Sequence, residues 1–407
     1  MNKIVIVGGG AAGMMAAATL VERGLGSDVI LIERNAVLGR KVMISGGGRC
    51  NVTTGQEEVK AVLRNYPRGA KFLRHAMYDF PPLAVREWVE SHGVPLKKEK
   101  DLRVFPQSDS GKDVVSAFER YLVKGGVELK MRATVEGISK NEGGVILQLK
   151  DGSSVAAKTV ILTTGGQAYR GTGSQGDGYD FAESLGHTIT PLAPSLNSFM
   201  VEEEWIKTLP GISFSEVRLR FMGTDRHEFT GPILFTHKGI TGPAVFALSS
   251  LAAYEGLPAK LAIDFFPDRS YEELTAELSS GSPQQKFVNH LGKIVYKSMA
   301  PELCSLAGIP LGRTNAEVGK KGLARLIESL KNTQITLTKR LPGDEFVTAG
   351  GVALDEVDPK TMESRVCPGL YFAGELLNID GFTGGYNLQV AWCTGRLAGS
   401  NVPGHNL

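Results

Sequence analysis

Three glycines and one carboxylate open the chain with the types and spacing that cradle a dinucleotide: Gly8, Gly10 and Gly13, then Glu33. In a G-x-G-x-x-G turn between strand and helix, the first glycine permits the tight turn and the second lets a pyrophosphate approach the backbone. The third lets helix and strand pack closely. The helix N-terminus then aims unpaired N–H groups at the phosphates. An acid about 20 residues further on accepts hydrogen bonds from a ribose. The flanking residues meet these requirements. Ile4–Val7 is a β-branched run suited to a strand buried on both faces, and an alanine-rich helix is expected over 11–23. A second strand, 29–32, delivers Glu33, with Arg34 beside it as a further cofactor contact. Glu33 also argues against a 2′-phosphorylated nucleotide, since two anions would face each other.

Other stretches share this ligand-touching character. Residues 39–54 show no helical or strand period and set Arg40, Lys41 and Arg49 among glycines and small hydroxyls. Such a loop can wrap an anionic ligand with backbone N–H groups and charged donors. Residues 158–166 read as a buried strand ending in Thr-Thr-Gly-Gly, and 370–375 as another ending in Ala-Gly-Glu. Gly384 and Gly385 precede a helix expected to run through 398 and give it a free N-terminus. Residues 171–176 repeat the formal G-x-G-x-x-G. No strand leads directly into them and no acid-ending strand follows, so they are expected to cap a helix over 177–185.

The intervening elements follow from hydrophobic period. Helices are expected over 59–65, 71–79, 83–92 and 112–124, a short strand pair within 94–105, and antiparallel strands over 127–156 with a turn at 141–144. Pro191 and Pro194 mark a change of character. Strands are then expected at 199–202, 217–221, 228–235 and 260–266, helical segments at 271–279, 284–299 and 315–330, and a return strand at 335–339. Glycine-rich clusters flank this segment on both sides, so the chain leaves the ligand-binding unit and comes back to it. The expected organisation is a cofactor domain in two parts, 1–192 and 343–407, around an inserted substrate or lid domain, 193–342.

Composition bounds the reading. Glycine is the outlier, 50 of 407 residues against a usual level of about 7%, which fits many ligand loops. A net charge of +2 supplies no broad basic field for nucleic acid, although local patches are not excluded by it. The apolar start is too short for a signal peptide or membrane helix and leads straight into the glycine turn. Cys50, Cys304, Cys367 and Cys393 form no C-x-x-C pair, which argues against a zinc site or redox dithiol and fits a reducing cytoplasm.

Three motifs carry a family resemblance: Ser-Gly-Gly-Gly-Arg-Cys-Asn at 45–51, Phe-Thr-His-Lys-Gly-Ile-Thr-Gly-Pro at 235–243, and Gly-Phe-Thr-Gly-Gly-Tyr-Asn-Leu-Gln at 381–389. With the N-terminal fingerprint they resemble the YhiN/BaiN-like family of FAD-dependent oxidoreductases, within the layout of two-dinucleotide-domain flavoproteins. The resemblance covers nearly the whole chain. It implies an α/β fold, a Rossmann-like FAD-binding domain with an inserted β-barrel-plus-helices domain, and non-covalent FAD. By the same resemblance Gly8, Gly10, Ala12 and Gly13 hold the pyrophosphate, Glu33 the adenosine ribose, and Val135 lies near adenine. Arg40, Lys41, Ser45, Gly46, Arg49 and Asn51 line the flavin side. Gly165, Gly374, Glu375, Asn387 and Leu388 approach the ribityl chain or the ring. Members have been assigned amine-oxidase and double-bond-reductase activities, so no substrate follows from membership.

A flavin carries hydride chemistry itself, and the protein supplies orientation and a proton path. His237 and Thr241, in the insert's Gly-Ile-Thr-Gly-Pro turn region, are the candidate proton donor and substrate orienter, with a structural histidine as the alternative. Lys41 and Arg49 read as cofactor contacts, Cys50 as a buried thiol, and Tyr386 as a ring that stacks or packs. The leading expectation is a cytoplasmic FAD enzyme exchanging a hydride with a small organic molecule. NADH or NADPH would be a transient donor, and neither nucleic acid nor membrane a partner. A flavoprotein of RNA modification and a non-catalytic flavin sensor are the competing readings.

Overall fold

A computed structural model describes residues 4–141, 144–343 and 345–404. The chain divides into two compact units, one built from residues 1–194 and 346–407 and the other from 195–345.

The first unit is organised by a five-stranded parallel sheet in the order Leu370–Phe372, Thr159–Leu162, Ile4–Val7, Val29–Glu33, Glu128–Met131. The first four of these strands are buried along their whole length, which suits β-branched and aliphatic runs that lack alternation. Helices Ala11–Glu22, Gly111–Lys124 and Tyr386–Asn401 pack together beside the sheet. The first and last of these approach closely through small residues. A Cβ on Gly395 would run into the Ala12 carbonyl, and one on Gly399 would stand 2.7 Å from the Ala16 carbonyl oxygen. Arg23 ends that contact by donating to the carbonyls of Gly399 and Val402, at 2.7 and 2.8 Å. Trp392, fully buried, stacks on Phe118 at 5.2 Å and donates to the Val52 carbonyl.

Residues 128–131 differ from expectation. They are the edge of the parallel sheet, and the antiparallel meander begins only at Val135–Asn141, followed by Gly144–Leu149 and Ser154–Ala157. An edge strand is half exposed and so alternates like an antiparallel one. The expected turn at 141–144 has its two central residues outside the described ones.

His187 is a buried group of this unit. It sits edge-on to Phe372 at 4.7 Å, with its ring nitrogens 2.7 Å from Ser364 Oγ and 3.2 Å from the Ala182 carbonyl. Burial pushes its pKa below the usual 6.5. A group with a depressed folded-state pKa contributes stability above its unfolded pKa and loses it as pH falls, because the unfolded chain takes up the proton first. The melting-temperature gap between the wild type and His187→Gln should therefore narrow on acidification from pH 7.5 to 5.5. A gap independent of pH would show that His187 does not couple folding to protons.

The second unit is a closed six-stranded barrel in the order Phe199–Val201, Gly239–Thr241, Arg226–Thr236, Ser213–Met222, Ala259–Asp264, Thr333–Arg340. Its interior is filled by residues such as Leu219, Phe221, Phe235, Ile263 and Leu337. Helices Tyr271–Ser279, Phe287–Ile294, Ala300–Leu306 and Lys320–Lys331 accompany the barrel. The first starts on a Ser270–Glu273 capping box. Lys331 reaches back to Asp264 at 2.7 Å and to the carbonyls of Phe266 and Arg269. The single helix expected over 284–299 breaks at Val295, which is extended, and the next begins with Pro301 in its first turn. A further helix, Pro243–Leu251, has no counterpart in the sequence reading.

Candidate functional site

Four glycine-bearing turns of the first unit lie at the carboxyl ends of the parallel strands, where open α/β sheets bind ligands. The fingerprint glycines divide the labour. Gly8 has φ +107°, and a Cβ there would stand 2.6 Å from the Thr163 carbonyl oxygen. A Cβ on Gly13 would be driven into the Gly8 carbonyl. Gly10 is different: nothing lies within 4 Å of where its Cβ would be. The backbone before the helix N-terminus therefore borders open space, a cradle that a side chain would fill. No acidic residue occupies the helix's first turn, so its positive end is left for an anion. Gly374, at φ +77°, brings the neighbouring strand end onto this helix, where its Cβ would stand 2.9 Å from that of Ala12.

Glu33 is 8% exposed. Its Oε2 accepts from the Gly9 N–H and its Oε1 from both Asn35 nitrogens, each at 2.7 Å. A carboxylate offers about four acceptor sites. These three donors fix its orientation and leave capacity for a ribose hydroxyl. Arg34 turns away to pair with Asp177, in the first turn of helix Asp177–Ser184, while Asn35 donates to the Thr172 carbonyl. Together they pin the 170–177 loop beside Glu33. Val135 is buried close by in sequence: the Ala133 N–H donates to the Glu33 carbonyl two residues before it.

The stretch after Glu33 is more ordered than its lack of period suggests, with helix Arg40–Ile44 and a 3-10 turn at Ser45–Gly48. The Gly39 N–H donates to the Gly9 carbonyl at 2.8 Å and folds the stretch over the fingerprint. Arg40 is exposed, with one 3.3 Å contact to Asn35. Lys41 pairs with Glu375 at 2.7 Å. The other Glu375 oxygen accepts from the Thr348 N–H, and Thr348 Oγ1 accepts from the Gln167 N–H, both at 2.9 Å. Residues that follow three of the parallel strands, including the Gly165 turn, are thereby locked to strand Val347–Ala349. Ser45 donates to the Val42 carbonyl, and Gly46 to Gly48 hold left-handed backbone conformations on the surface. Arg49 and Asn51 both have protein partners. Arg49 lies between Glu99 and Asp109 and stacks over Phe105 at 3.7 Å, and Asn51 accepts from the Val104 N–H. Cys50 is fully buried, and burial pushes its thiol up to about 12, so it carries no thiolate at neutral pH.

The loop before the C-terminal helix is equally tied down. Asn387 accepts from the Gly381 N–H and donates to its carbonyl, while Arg68 forms a two-pronged pair with Asp380, which is 1% exposed. Gly385, at φ +93°, lies against the Thr53 backbone. Buried Gln389 accepts from Thr53 and donates to the Phe80 carbonyl. Leu388, half-buried, packs on the core, and Tyr386 meets Tyr66 edge-on at 5.9 Å. The N-terminus of Tyr386–Asn401 is presented by this frame.

His237 and Thr241 belong to the second unit. His237 is exposed at the tip of the hairpin Arg226–Thr236 to Gly239–Thr241, and Thr241 Oγ1 lies 2.8 Å from Ser198 Oγ. The sequence reading did not single out Asn35, Arg68, Thr348, Asp177 or Asp380. Asp380 opens the glycine-rich 380–385 stretch and was the nearest to a signal. Arg68, Thr348 and Asp177 act through partners far away in the chain, and Asn35 joins neighbouring Glu33 to distant Thr172.

A parallel sheet with a glycine fingerprint, an oriented acid and a second free helix N-terminus defines a Rossmann-type nucleotide-binding fold. The chain belongs to the HI0933-like family, whose Rossmann-domain model matches residues 2–401. It is 32% identical over 416 residues to the 3-dehydro-bile acid delta(4,6)-reductase of Clostridium scindens, covering 98% of each chain. It is 33% identical over 399 residues to the ribosomal RNA dihydrouridine synthase of Escherichia coli, covering 95% of this chain and 94% of that one. Among solved structures, 3-ketosteroid delta1-dehydrogenase from Sterolibacterium denitrificans shares the fold, with a TM-score of 0.51 at 14% identity over 98% of this chain and 99% of that one. No described helix is long and apolar enough to cross a membrane.

Proposed function

We propose that the crevice holds FAD and that the enzyme adds a hydride and a proton across a carbon–carbon double bond conjugated to a carbonyl. The observation that carries this reading is a shared chemistry. The two curated relatives are named for very different substrates, a bile acid and a ribosomal RNA, yet both names describe saturation of such a bond. In a 3-oxo-4,6-diene the double bonds run into the ketone, and in uracil the C5–C6 bond runs into the C4 carbonyl. Bound FAD, once reduced by a two-electron donor, would supply the hydride.

The residues fit that cofactor. Gly10 leaves room for the pyrophosphate, Ala12 and Gly13 lie in the helix turn that meets it, and Glu33 retains capacity for the ribose. Arg40 is free to meet a phosphate. Lys41, held by Glu375, would line the flavin side, and the N-terminus of Tyr386–Asn401 would favour negative charge there. A nicotinamide donor would meet that ring transiently, because FAD takes the fingerprint.

His237 is the candidate donor of the proton that completes the saturation, with Thr241 as a substrate orienter. Exposed at a hairpin tip, it has no packing role to lose. His237→Ala should keep the wild-type melting temperature and FAD content. Acceptor turnover should fall by about 10²- to 10⁴-fold, the usual worth of a general acid, with a flattened pH profile. Unchanged turnover per bound FAD rejects the role.

The function itself is tested by reducing the purified enzyme anaerobically and mixing it with 2-cyclohexenone, with uridine-containing RNA, or with a simple amine as control. Reoxidation of the flavin by either conjugated acceptor, with a saturated product, is the expected result. Reoxidation by neither would remove the reading. RNA is the second reading of the acceptor, and a basic groove on the first unit favours it.

A further inference from the structure

On the first unit a groove of about 280 Å³ is lined by Lys71, Phe72, Arg74, His75, Tyr78 and Lys360, among others. Among the described residues, no carboxylate pairs with Lys71, Arg74 or Lys360, and all three are exposed. Their surroundings make this notable. Arg68 is taken by Asp380, Arg86 by Glu57 and Arg365 by Asp358. Asp79 is exposed on the same short helix, Arg74–Asp79, and Asp358 also accepts from the Lys360 backbone. Tyr78 is 50% exposed and Phe72 half-buried, so two aromatic rings stand among three uncompensated cations.

We propose that this groove is a docking site for single-stranded RNA, with Lys71, Arg74 and Lys360 on backbone phosphates and Tyr78 under a base. This rests on the reading of the acceptor as a uracil in RNA. Cations that track a backbone, interleaved with rings on which bases stack, are how proteins hold unpaired strands. A free phosphate would need no rings. The groove's segment is also coupled to the flavin side of the crevice. The Asn65 carbonyl accepts from the Phe382 N–H, Tyr66 donates to the Tyr386 carbonyl, and Phe80 receives Gln389. RNA held at 71–78 is thus anchored on the same short stretch that frames the N-terminus of the C-terminal helix.

The test uses FAD-loaded full-length enzyme and fluorescein-labelled oligouridylate, about 12 nucleotides long, followed by anisotropy between 50 and 200 mM salt. Single strands lose about 0.7 in the slope of log K against log salt per phosphate contacted, so three contacts give a slope near −2. The triple variant Lys71→Gln, Arg74→Gln, Lys360→Gln should bind at least tenfold more weakly at 50 mM salt, with a slope near zero. Tyr78→Ala should weaken binding severalfold and leave the slope alone. FAD content should be unchanged in each. If the triple variant loses FAD, Lys360→Gln alone, on a loop, repeats the comparison, with a slope reduced by about 0.7. Equal binding by the variants, no binding by the wild type, or preference for phosphatidylglycerol vesicles over the oligonucleotide overturns the site. Binding needs no turnover, so its outcome is separate from that of the acceptor assay. A salt-dependent site with no reoxidation by uridine would keep the groove and sink the uracil reading. Reoxidation with indifferent variants would do the reverse.

Discussion

Gly10→Val should give a folded, colourless protein. The backbone at Gly10, φ −78° and ψ −168°, is open to any residue, and a Cβ there meets no protein atom within 4 Å. The substitution therefore costs the cofactor-free fold little, within about 0.5 kcal/mol for an unobstructed site. What it fills is the space proposed for the pyrophosphate. FAD content should drop below about a tenth of wild type, read by absorbance after acid release. The melting temperature must be compared with that of stripped wild type, because bound FAD stabilises the native state by mass action. A normal flavin spectrum from folded Gly10→Val would refute the assignment of this crevice.

Gly395→Val should act in the opposite way, on the fold first and on the cofactor through it. Its side chain would be forced against the Ala12 backbone, where the fingerprint helix and the C-terminal helix touch. Overpacking a tight contact costs about 1–3 kcal/mol, occasionally more, and rigid backbone on the far side places this one at the upper end. Urea unfolding should show the loss, and FAD affinity should fall with it because Ala12 sits in the turn proposed to meet the pyrophosphate. Gly395→Ala should show a smaller loss of the same kind. Wild-type stability in Gly395→Val would mean that the two helices part at no cost.

The contrast explains what could be read from the sequence. Gly8, Gly10, Gly13 and Glu33 obey rules local to one strand–turn–helix–strand unit, so their arrangement was legible before any fold was known. The parallel pairing of Glu128–Met131 was not, because alternation at a half-exposed edge looks the same in either orientation. Pro243–Leu251 was missed for a different reason. Its run Pro-Ala-Val-Phe-Ala-Leu-Ser-Ser-Leu is apolar nearly all round, so it shows no amphipathic period. The anionic partners of Arg49, Glu99 and Asp109, were not legible because they lie 50 and 60 residues further on. The Arg68–Asp380 pair spans 312 residues and leaves no local trace. Net charge, being an average, was equally silent about three unpaired cations in one groove.

One consequence lies in the order in which the chain is made. The second unit is a single continuous segment, and the first is not: it needs residues 346–407 to supply the sheet's edge strand Leu370–Phe372 and the helix Tyr386–Asn401. Domains fold as units while synthesis proceeds from the N-terminus. The barrel can therefore mature on the ribosome while the glycine fingerprint, already synthesised, waits without its packing partner. The Gly374 and Gly385 turns are assembled only after the last few dozen residues emerge. A chain interrupted before residue 370 would leave a finished barrel beside a sheet that lacks its edge strand and the helix that packs on the fingerprint helix.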